Sequence, residues 1–261
     1  MITKRNPKGF YSVDGVDYIS STTVLKRLEK EALHPWIAKQ TAEQIRDFIL
    51  KPIIDGLITP LQLSEMNLDD VMKQAKEASV KAKRQAGDMG SLIHKVIEEY
   101  YEASGDRYVL DNYTKIIPEL TAPILAFMEW ERLYKVSMLS SEGTVFNSLH
   151  GYAGTLDLDC RLYLPGDPDQ IRVVVDFKSS SGIYDEHIMQ LASYVEAAQS
   201  MSDDKIHGGM IVRLDKETGI CEPHYYSYEE LELPFQAFVK VKEFCDLDRA
   251  WKNKRKEAKK K

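Results

Sequence analysis

Cysteine is scarce in this chain. Its 261 residues contain three, Cys160, Cys221 and Cys245, widely spaced and without a Cys-x-x-Cys pair. That argues against a disulfide framework. It also argues against the four closely organised ligands that hold a structural zinc or an iron–sulfur cluster. Reduced, mostly buried thiols are expected. Long apolar runs are lacking too: no stretch approaches the length that crosses a bilayer. The opening Met1-Ile2-Thr3-Lys4-Arg5-Asn6-Pro7 has no apolar core of a secretory signal, so an intracellular, cytoplasmic protein with no membrane partner is expected. There is no internal repeat. Net positive charge is also missing, with 35 bases against 41 acids. The stretch Lys252 to Lys261 holds seven bases and one acid, which leaves the rest still more acidic. An acidic body argues against passive coating of nucleic acid. It does not exclude an enzyme whose bound ions or local patch meet the phosphate. The basic tail is either such a patch or a solvated, frayed end.

What is present is an ordinary globular composition, long enough for one large domain or one domain with a helical addition. Phe10 to Ile19 alternates around Asp14-Gly15 and predicts a β-hairpin. Ser20 to Lys30 predicts a capped helix with apolar spacing at Val24, Leu25 and Leu28. Pro35 opens a second helix, through about Leu50, with Trp36 in its first turn. Asp69 to Gln85 reads as a helix rich in Lys73, Lys76, Lys81, Lys83 and Arg84. Gly87 and Gly90 are expected to break it before a new amphipathic helix from Ser91 to about Ala103. Pro118 opens another helix, to about Tyr134. The period then changes. Met138 to Ser148, Gly154 to Leu164 and Ile171 to Lys178 read as strands, the last two joined by the turn cluster Pro165-Gly166-Asp167-Pro168-Asp169. A helix over Tyr184 to Ser200, strands over Ile206 to Leu214 and Glu222 to Tyr228, and a closing helix from Pro234 to about Lys256 follow. The expected class is α/β, of the α+β kind: one mixed sheet flanked by helices. Residues 1–115 are expected to form a hairpin and a helical cap or arch that contributes His94. Residues 116–261 are expected to form the core with the closing helix and basic tail, the whole making one compact unit.

The chemistry concentrates in Gly154-Thr155-Leu156-Asp157 and, nineteen residues on, Asp176-Phe177-Lys178. In a strand, Asp176 and Lys178 share one face and Phe177 enters the opposite layer. The three valines before Asp176 predict a buried central strand, where charges need partners or a metal. Small residues at Gly151 to Gly154 let a ligand or backbone approach closely before Asp157. Asp159 shares a face with Asp157 and is the lesser candidate. Two carboxylates and an ammonium can hold a hard divalent cation and hydrolyse a phosphodiester. Lys178 suits orienting the nucleophile, stabilising phosphate charge or moving a proton. Simple pairing with Asp176 is the alternative, which leaves the second acid unexplained. Gln190 and Tyr194 are four apart on one helix face, just past a loop whose Ser179 and Ser180 can donate to phosphate. His94, with Glu98 one turn on, adds a candidate metal ligand and a group to orient it.

The ordered set His94, Gly154-x-x-Asp157, Asp176-x-Lys178 and Gln190-x-x-x-Tyr194 resembles the RecB-like branch of the PD-(D/E)XK nuclease superfamily. That branch includes RecB and AddAB nuclease domains, the mitochondrial genome-maintenance exonuclease and many phage exonucleases. The helix-strand-strand-strand-helix-strand order from Pro118 to Leu214 is similar to that superfamily's restriction-endonuclease-like core. Ile19-Ser20-Ser21-Thr22-Thr23 followed by Trp36 resembles the opening of phage and mitochondrial members. The resemblance implies a Mg²⁺- or Mn²⁺-dependent deoxyribonuclease, an exonuclease on single- or double-stranded DNA ends, in recombination, repair or replication. A bacterial or phage-infected cell, and partner proteins from those processes, are the implied setting. Asp157, Asp176, the Phe177 carbonyl and His94 would be metal ligands, and Lys178 the catalytic lysine. Gln190, Tyr194, Ser179 and Ser180 would contact DNA. Glu142, in Ser141-Glu142-Gly143, falls where many members carry an acid ahead of the first strand. The branch's iron–sulfur members use four cysteines, which this chain lacks, so no cluster is expected. Pro168-Asp169 looks like the superfamily's name but falls in a turn. The alternatives are a structure-specific endonuclease and a non-catalytic DNA-binding module of the same fold. The lysine-rich Lys73 to Arg84 helix is expected either to line an arch for a DNA strand or to be a solvated face.

Overall fold

A computed structural model describes residues 5–28, 33–59, 62 and 67–259. The end of the first predicted helix at Glu29-Lys30, the side chains of Trp36 and Lys83, and the last two lysines of the tail lie outside the described residues. The chain divides into two compact units, one of Met1–Leu28 with Leu92–Lys261 and one of Glu29–Ser91. No helix among the described residues is long and apolar enough to cross a membrane.

The sheet is built in the larger unit. Among the described residues, seven strands form one open mixed sheet: β1 (Phe10–Val13), β2 (Val16–Ser20), β3 (Ser137–Asn147), β4 (Tyr152–Tyr163), β5 (Gln170–Lys178), β6 (Gly208–Leu214) and β7 (Cys221–Ser227). The order is β1-β2-β4-β5-β6-β7, with β3 also on β4. The hairpin forms where expected. Asp14 and Gly15 have φ of 48° and 83°, the double left-handed turn whose twist suits a two-residue hairpin. The hairpin belongs to the sheet, not to a cap ending near residue 115. β2 runs parallel to β4, with Ile19 opposite Tyr152 and Ser20 opposite Ala153. Ser20 then caps α1 (Ser21–Leu25), its hydroxyl accepting from Thr23 N at 3.1 Å, and Ser21 Oγ donates to the Ala153 carbonyl at 3.3 Å.

β4 is the organising strand. β3 pairs with it antiparallel along nearly its whole length, from Asn147 opposite Tyr152 to Ser137 opposite Arg161. A strand has only two edges, so β2 and β5 share the other one. β2 takes Tyr152 and Ala153, and β5 takes Leu158 through Tyr163. Gly154 to Asp157 are left without a strand partner on that edge. The sheet therefore forks beside Asp157.

Helices cover both faces. On one, α6 (Thr121–Tyr134) brings Phe127 and Trp130 edge-on to Phe177, at centroid distances of 5.7 and 5.4 Å. Trp130 Nε1 donates to Met210 Sδ at 3.3 Å. On the other, α7 (Asp185–Ser200) and α8 (Glu232–Ala258) bury Leu191, Val195 and Phe238 in one cluster with Val174 and Ile211. Fully burying such side chains contributes about 1.5–3 kcal/mol each. The alternation along β5 follows: Phe177 feeds the aromatic layer, while Asp176 and Lys178 face α7.

One helical expectation is corrected, and one helix is added. Leu68–Glu102 is one continuous 35-residue helix, α4, through Gly87 and Gly90. Glycine costs a helix only about 1 kcal/mol relative to alanine, which the long helix tolerates. Between α4 and Pro118 the chain also forms α5 (Arg107–Ile116), capped by Asp106 accepting from Tyr108 N at 3.0 Å. It buries only Leu110. In the smaller unit, α2 (Leu33–Ile45) continues through a π-helical turn at Arg46–Leu50 into α3 (Lys51–Ile54).

Candidate metal and catalytic centre

The fork places Asp157 at the last position of β4 before β5 begins to pair. The Phe177 amide, which finds no β4 carbonyl there, donates instead to Asp157 Oδ2 at 2.7 Å. The other oxygen, Oδ1, lies 3.2 Å from Nδ1 of His94, carried by the part of α4 that belongs to the same unit. Glu142 comes from β3. Its neighbours pair as Ser141 with Leu158 and Gly143 with Leu156, which sets Glu142 opposite Asp157. Glu142 has φ of 50° within a strand, a left-handed conformation that costs a non-glycine residue roughly 1–2 kcal/mol. Such strain concentrates at functional positions. One ligand atom each from His94, Glu142 and Asp157 lie within 4.8 Å of one another.

Asp176 is 1% exposed. The Lys178 ammonium rests against its Oδ2, yet that oxygen receives no properly directed hydrogen bond. Lys178 Nζ also donates to Gln190 Oε1 at 3.3 Å, and Gln190 Nε2 donates to the Tyr194 hydroxyl at 2.7 Å. Tyr194 lies directly over Gly154, where a Cβ would sit 2.4 Å from the ring. Glycine is required there by close approach.

The electrostatics pull the two acids apart. Burial pushes the Asp176 carboxyl upward, the Lys178 ammonium opposes, and the Asp157 charge pushes it further up. Burial also raises Asp157, but its ion pair and hydrogen bond with His94, then Lys178 and the Phe177 amide, bring it below its usual range. Burial lowers His94, and the charge and hydrogen bond of Asp157 reverse this to a net rise. The Tyr194 phenol is raised by burial and by Asp176.

The structure thus brings together His94, Glu142, Asp157, Asp176, Lys178, Gln190 and Tyr194, with the main chain of Phe177. Others stand apart. Asp159, the competing acid, is held by Arg172 through Nε at 3.0 Å and Nη2 at 2.6 Å. Glu98 makes no hydrogen bond or ion pair among the described residues, so it does not orient His94. Ser180 Oγ donates to the Gly182 carbonyl at 2.7 Å and shapes the loop after Lys178. Ser179 lies half-buried on that loop. Asp169 is in the turn, where its amide donates to Asp167 at 2.9 Å. Lys73, Lys76, Lys81 and Arg84 are exposed along α4. The three cysteines are free thiols.

Two supporting residues escaped the sequence reading. Arg213, opposite Lys178 on β6, grips Glu222 with two bonds of 2.7 Å and donates to the Ser180 carbonyl at 3.3 Å. A charge inside the apolar run Ile211-Val212-Arg213-Leu214 was a signal of the kind that singled out Asp176. The Tyr11 hydroxyl bonds Thr155 Oγ1 at 2.8 Å in the fork, and no linear pattern points to that pair.

No family model and no curated protein matches this chain. Among solved structures, it shows a likeness to the crystal structure of SSO0001, at 12% identity and a TM-score of 0.28, over 58% of this chain and 71% of that one. A likeness that slight carries no argument about function.

Proposed function

We propose that this chain is a Mg²⁺- or Mn²⁺-dependent deoxyribonuclease of the RecB-like PD-(D/E)XK kind, acting as an exonuclease on DNA ends. The observation that carries the reading is Asp176: a buried carboxylate held against the Lys178 ammonium, beside the three-donor cluster of His94, Glu142 and Asp157. Three carboxylates and an imidazole suit a hard divalent cation, with the Phe177 carbonyl as a further donor. When bound, the cation would draw charge from a scissile phosphate and make a water more acidic.

The chain's own residues supply the rest. Asp176 and Gln190 hold the Lys178 ammonium between them, so its charge is fixed beside the acids instead of sampling solvent. A fixed ammonium stabilises the charge that grows on phosphate oxygens without reorganising. Tyr194 holds Gln190, and Gly154 lets Tyr194 approach. Phe177, locked in the aromatic layer, fixes the strand between Asp176 and Lys178. The loop of Ser179 and Ser180, anchored by Arg213, offers the Ser179 hydroxyl to a DNA backbone, while the Ser180 hydroxyl is held by the Gly182 carbonyl. Setting such a centre in an acidic body fits local rather than general attraction for DNA. Its place would be the cytoplasm, in phage or cellular recombination, repair or replication, with partners from those processes.

An endonuclease for branched DNA uses the same chemistry, and a non-catalytic DNA-binding module shares the fold. The buried acid–lysine pair disfavours the module, because burying charge is costly and simple binding gains nothing from it. The test is cleavage of end-labelled linear DNA and of covalently closed circles with Mg²⁺ or Mn²⁺. Degradation of linear DNA alone is expected. Cutting of closed circles replaces the exonuclease reading with the endonuclease one, and no cleavage of either by folded protein overturns both.

A further inference from the structure

α8 is a 27-residue helix whose inner face is built into the core. Phe238 and Cys245 are buried, Arg27 pairs with Asp248 at 3.0 Å, and the Arg249 guanidinium lies 4.6 Å from the Phe10 ring centroid. From Ala250 to Lys259 every residue is exposed. Helical turns without packing are marginal in water, because most helical stability comes from a buried face. These turns call for a partner.

The outward face of α8 shows what kind. Leu233, Ala237, Lys240, Phe244, Leu247 and Trp251 recur at alternating steps of four and three, the spacing of a helix–helix seam. The large apolar members are well exposed: Leu233 74%, Phe244 59%, Leu247 71% and Trp251 60%. A row of this size on one helix is more than scattered surface hydrophobicity. Charge then selects the occupant. The residues leading into α8 and its first residue are acidic, at Glu229, Glu230 and Glu232, and its end is basic, at Lys254, Arg255 and Lys256, beyond a Lys252–Asp248 pair at 2.8 Å. Beside the first half runs a groove lined by Glu196, Glu229, Glu232 and Glu243, against Lys205 and Lys240. Lys240 is already paired with Glu243 at 3.0 Å, so the groove keeps an acidic surplus. A second α8 laid parallel would stack base on base. Laid antiparallel, each basic end meets the other's acidic end, so attraction and seam agree.

We propose that two copies of this chain associate through α8, antiparallel about a two-fold axis, each placing its last basic turns by the acidic groove of the other. The same patch serves both subunits, the self-complementary arrangement of a two-fold dimer. This inference does not depend on the nuclease reading.

Sedimentation of the full chain at rising concentration tests it. A monomer–dimer equilibrium that weakens with salt is expected. Leu247→Glu with Trp251→Glu should weaken it by at least on the order of tenfold, with an unchanged circular dichroism spectrum, since both side chains are exposed. Lys254→Glu with Arg255→Glu should also dissociate it, and so should Glu229→Lys with Glu232→Lys. Mixing the two charge-reversed proteins should restore a heterodimer. A monomer at every concentration overturns the proposal. So does a dimer indifferent to these changes, or one strengthened by salt.

Discussion

Replacing Gly154 by alanine tests how the fold presents the centre. A Cβ there would lie 2.4 Å from Tyr194 Cε1, 3.0 Å from Cδ1 and 3.4 Å from Cζ. Carbon atoms in contact prefer about 3.5–4.0 Å, so the ring must retreat by roughly an ångström. It has nowhere free to go, because Tyr194 is 3% exposed and its hydroxyl holds Gln190 at 2.7 Å. Overpacking of this kind costs about 1–3 kcal/mol, and a chain of this length loses about 2–4 °C of Tm for each kcal/mol. The cause is separable from a general intolerance of alanine. Tyr194→Ala alone empties a buried site, at a cost near the ~3–5 kcal/mol typical of an aromatic-to-alanine change. In that background the new methyl group has space, so Gly154→Ala should cost almost nothing. Urea unfolding of the four proteins then gives a coupling of about 1–3 kcal/mol. Because the retreating ring takes Gln190 with it, Gly154→Ala should also reduce cleavage through a looser Lys178. Additive stabilities, or a neutral Gly154→Ala, would refute the close approach and the support it gives to the site.

Other outcomes follow from single contacts. Asp159→Ala removes the bidentate partner of Arg172, which keeps Asp204 at 3.3 Å and Ser202 at 2.7 Å, and should cost about 1–3 kcal/mol in urea unfolding; it should leave Mn²⁺ titration by calorimetry unchanged, whereas Asp157→Ala should abolish Mn²⁺ binding. Amide bonds from Thr218 and Glu217, with Arg213, hold the Asp215 carboxyl below its usual range against a small opposing effect of burial. A carboxyl lowered on folding contributes stability above its unfolded pKa of 3.8, and loses it as pH falls through the folded value. Asp215→Asn should therefore destabilise at neutral pH, with a deficit that shrinks once pH drops below 3.8, as read from midpoints of urea unfolding. Gly87→Ala meets no atom within 4 Å and should stabilise α4 by about 1 kcal/mol; a loss of helical signal or of Tm would show a broken helix at that point.

The order of elements around the sheet was legible because burial is strong there. β5 reads as a strand from its valines, and Phe177 against Asp176 and Lys178 follows from alternation alone. The hairpin at Asp14-Gly15 was legible because its turn demands two left-handed residues. The placement of that hairpin was not, since parallel pairing of β2 with β4 across more than a hundred residues leaves no local trace. The continuity of α4 was hidden by giving Gly87 and Gly90 more weight than their small energetic cost warrants. Within the centre, Asp157 and Asp159 are equivalent by strand face, and the fork separates them: one sits where β5 has yet to pair, the other beside Arg172. Glu142 entered only through a resemblance, and its position opposite Asp157 comes from strand register.

The central claim is that Asp176 and Lys178 serve metal-dependent hydrolysis of DNA. The most direct measurement is degradation of end-labelled DNA, with Mg²⁺ or Mn²⁺ and with excess chelator, by the parent protein, Asp176→Ala and Lys178→Ala. All three proteins are first shown to be folded by circular dichroism. Cleavage by the parent alone, and only with free metal, is predicted. Cleavage that persists in both variants, or in excess chelator, would contradict the account.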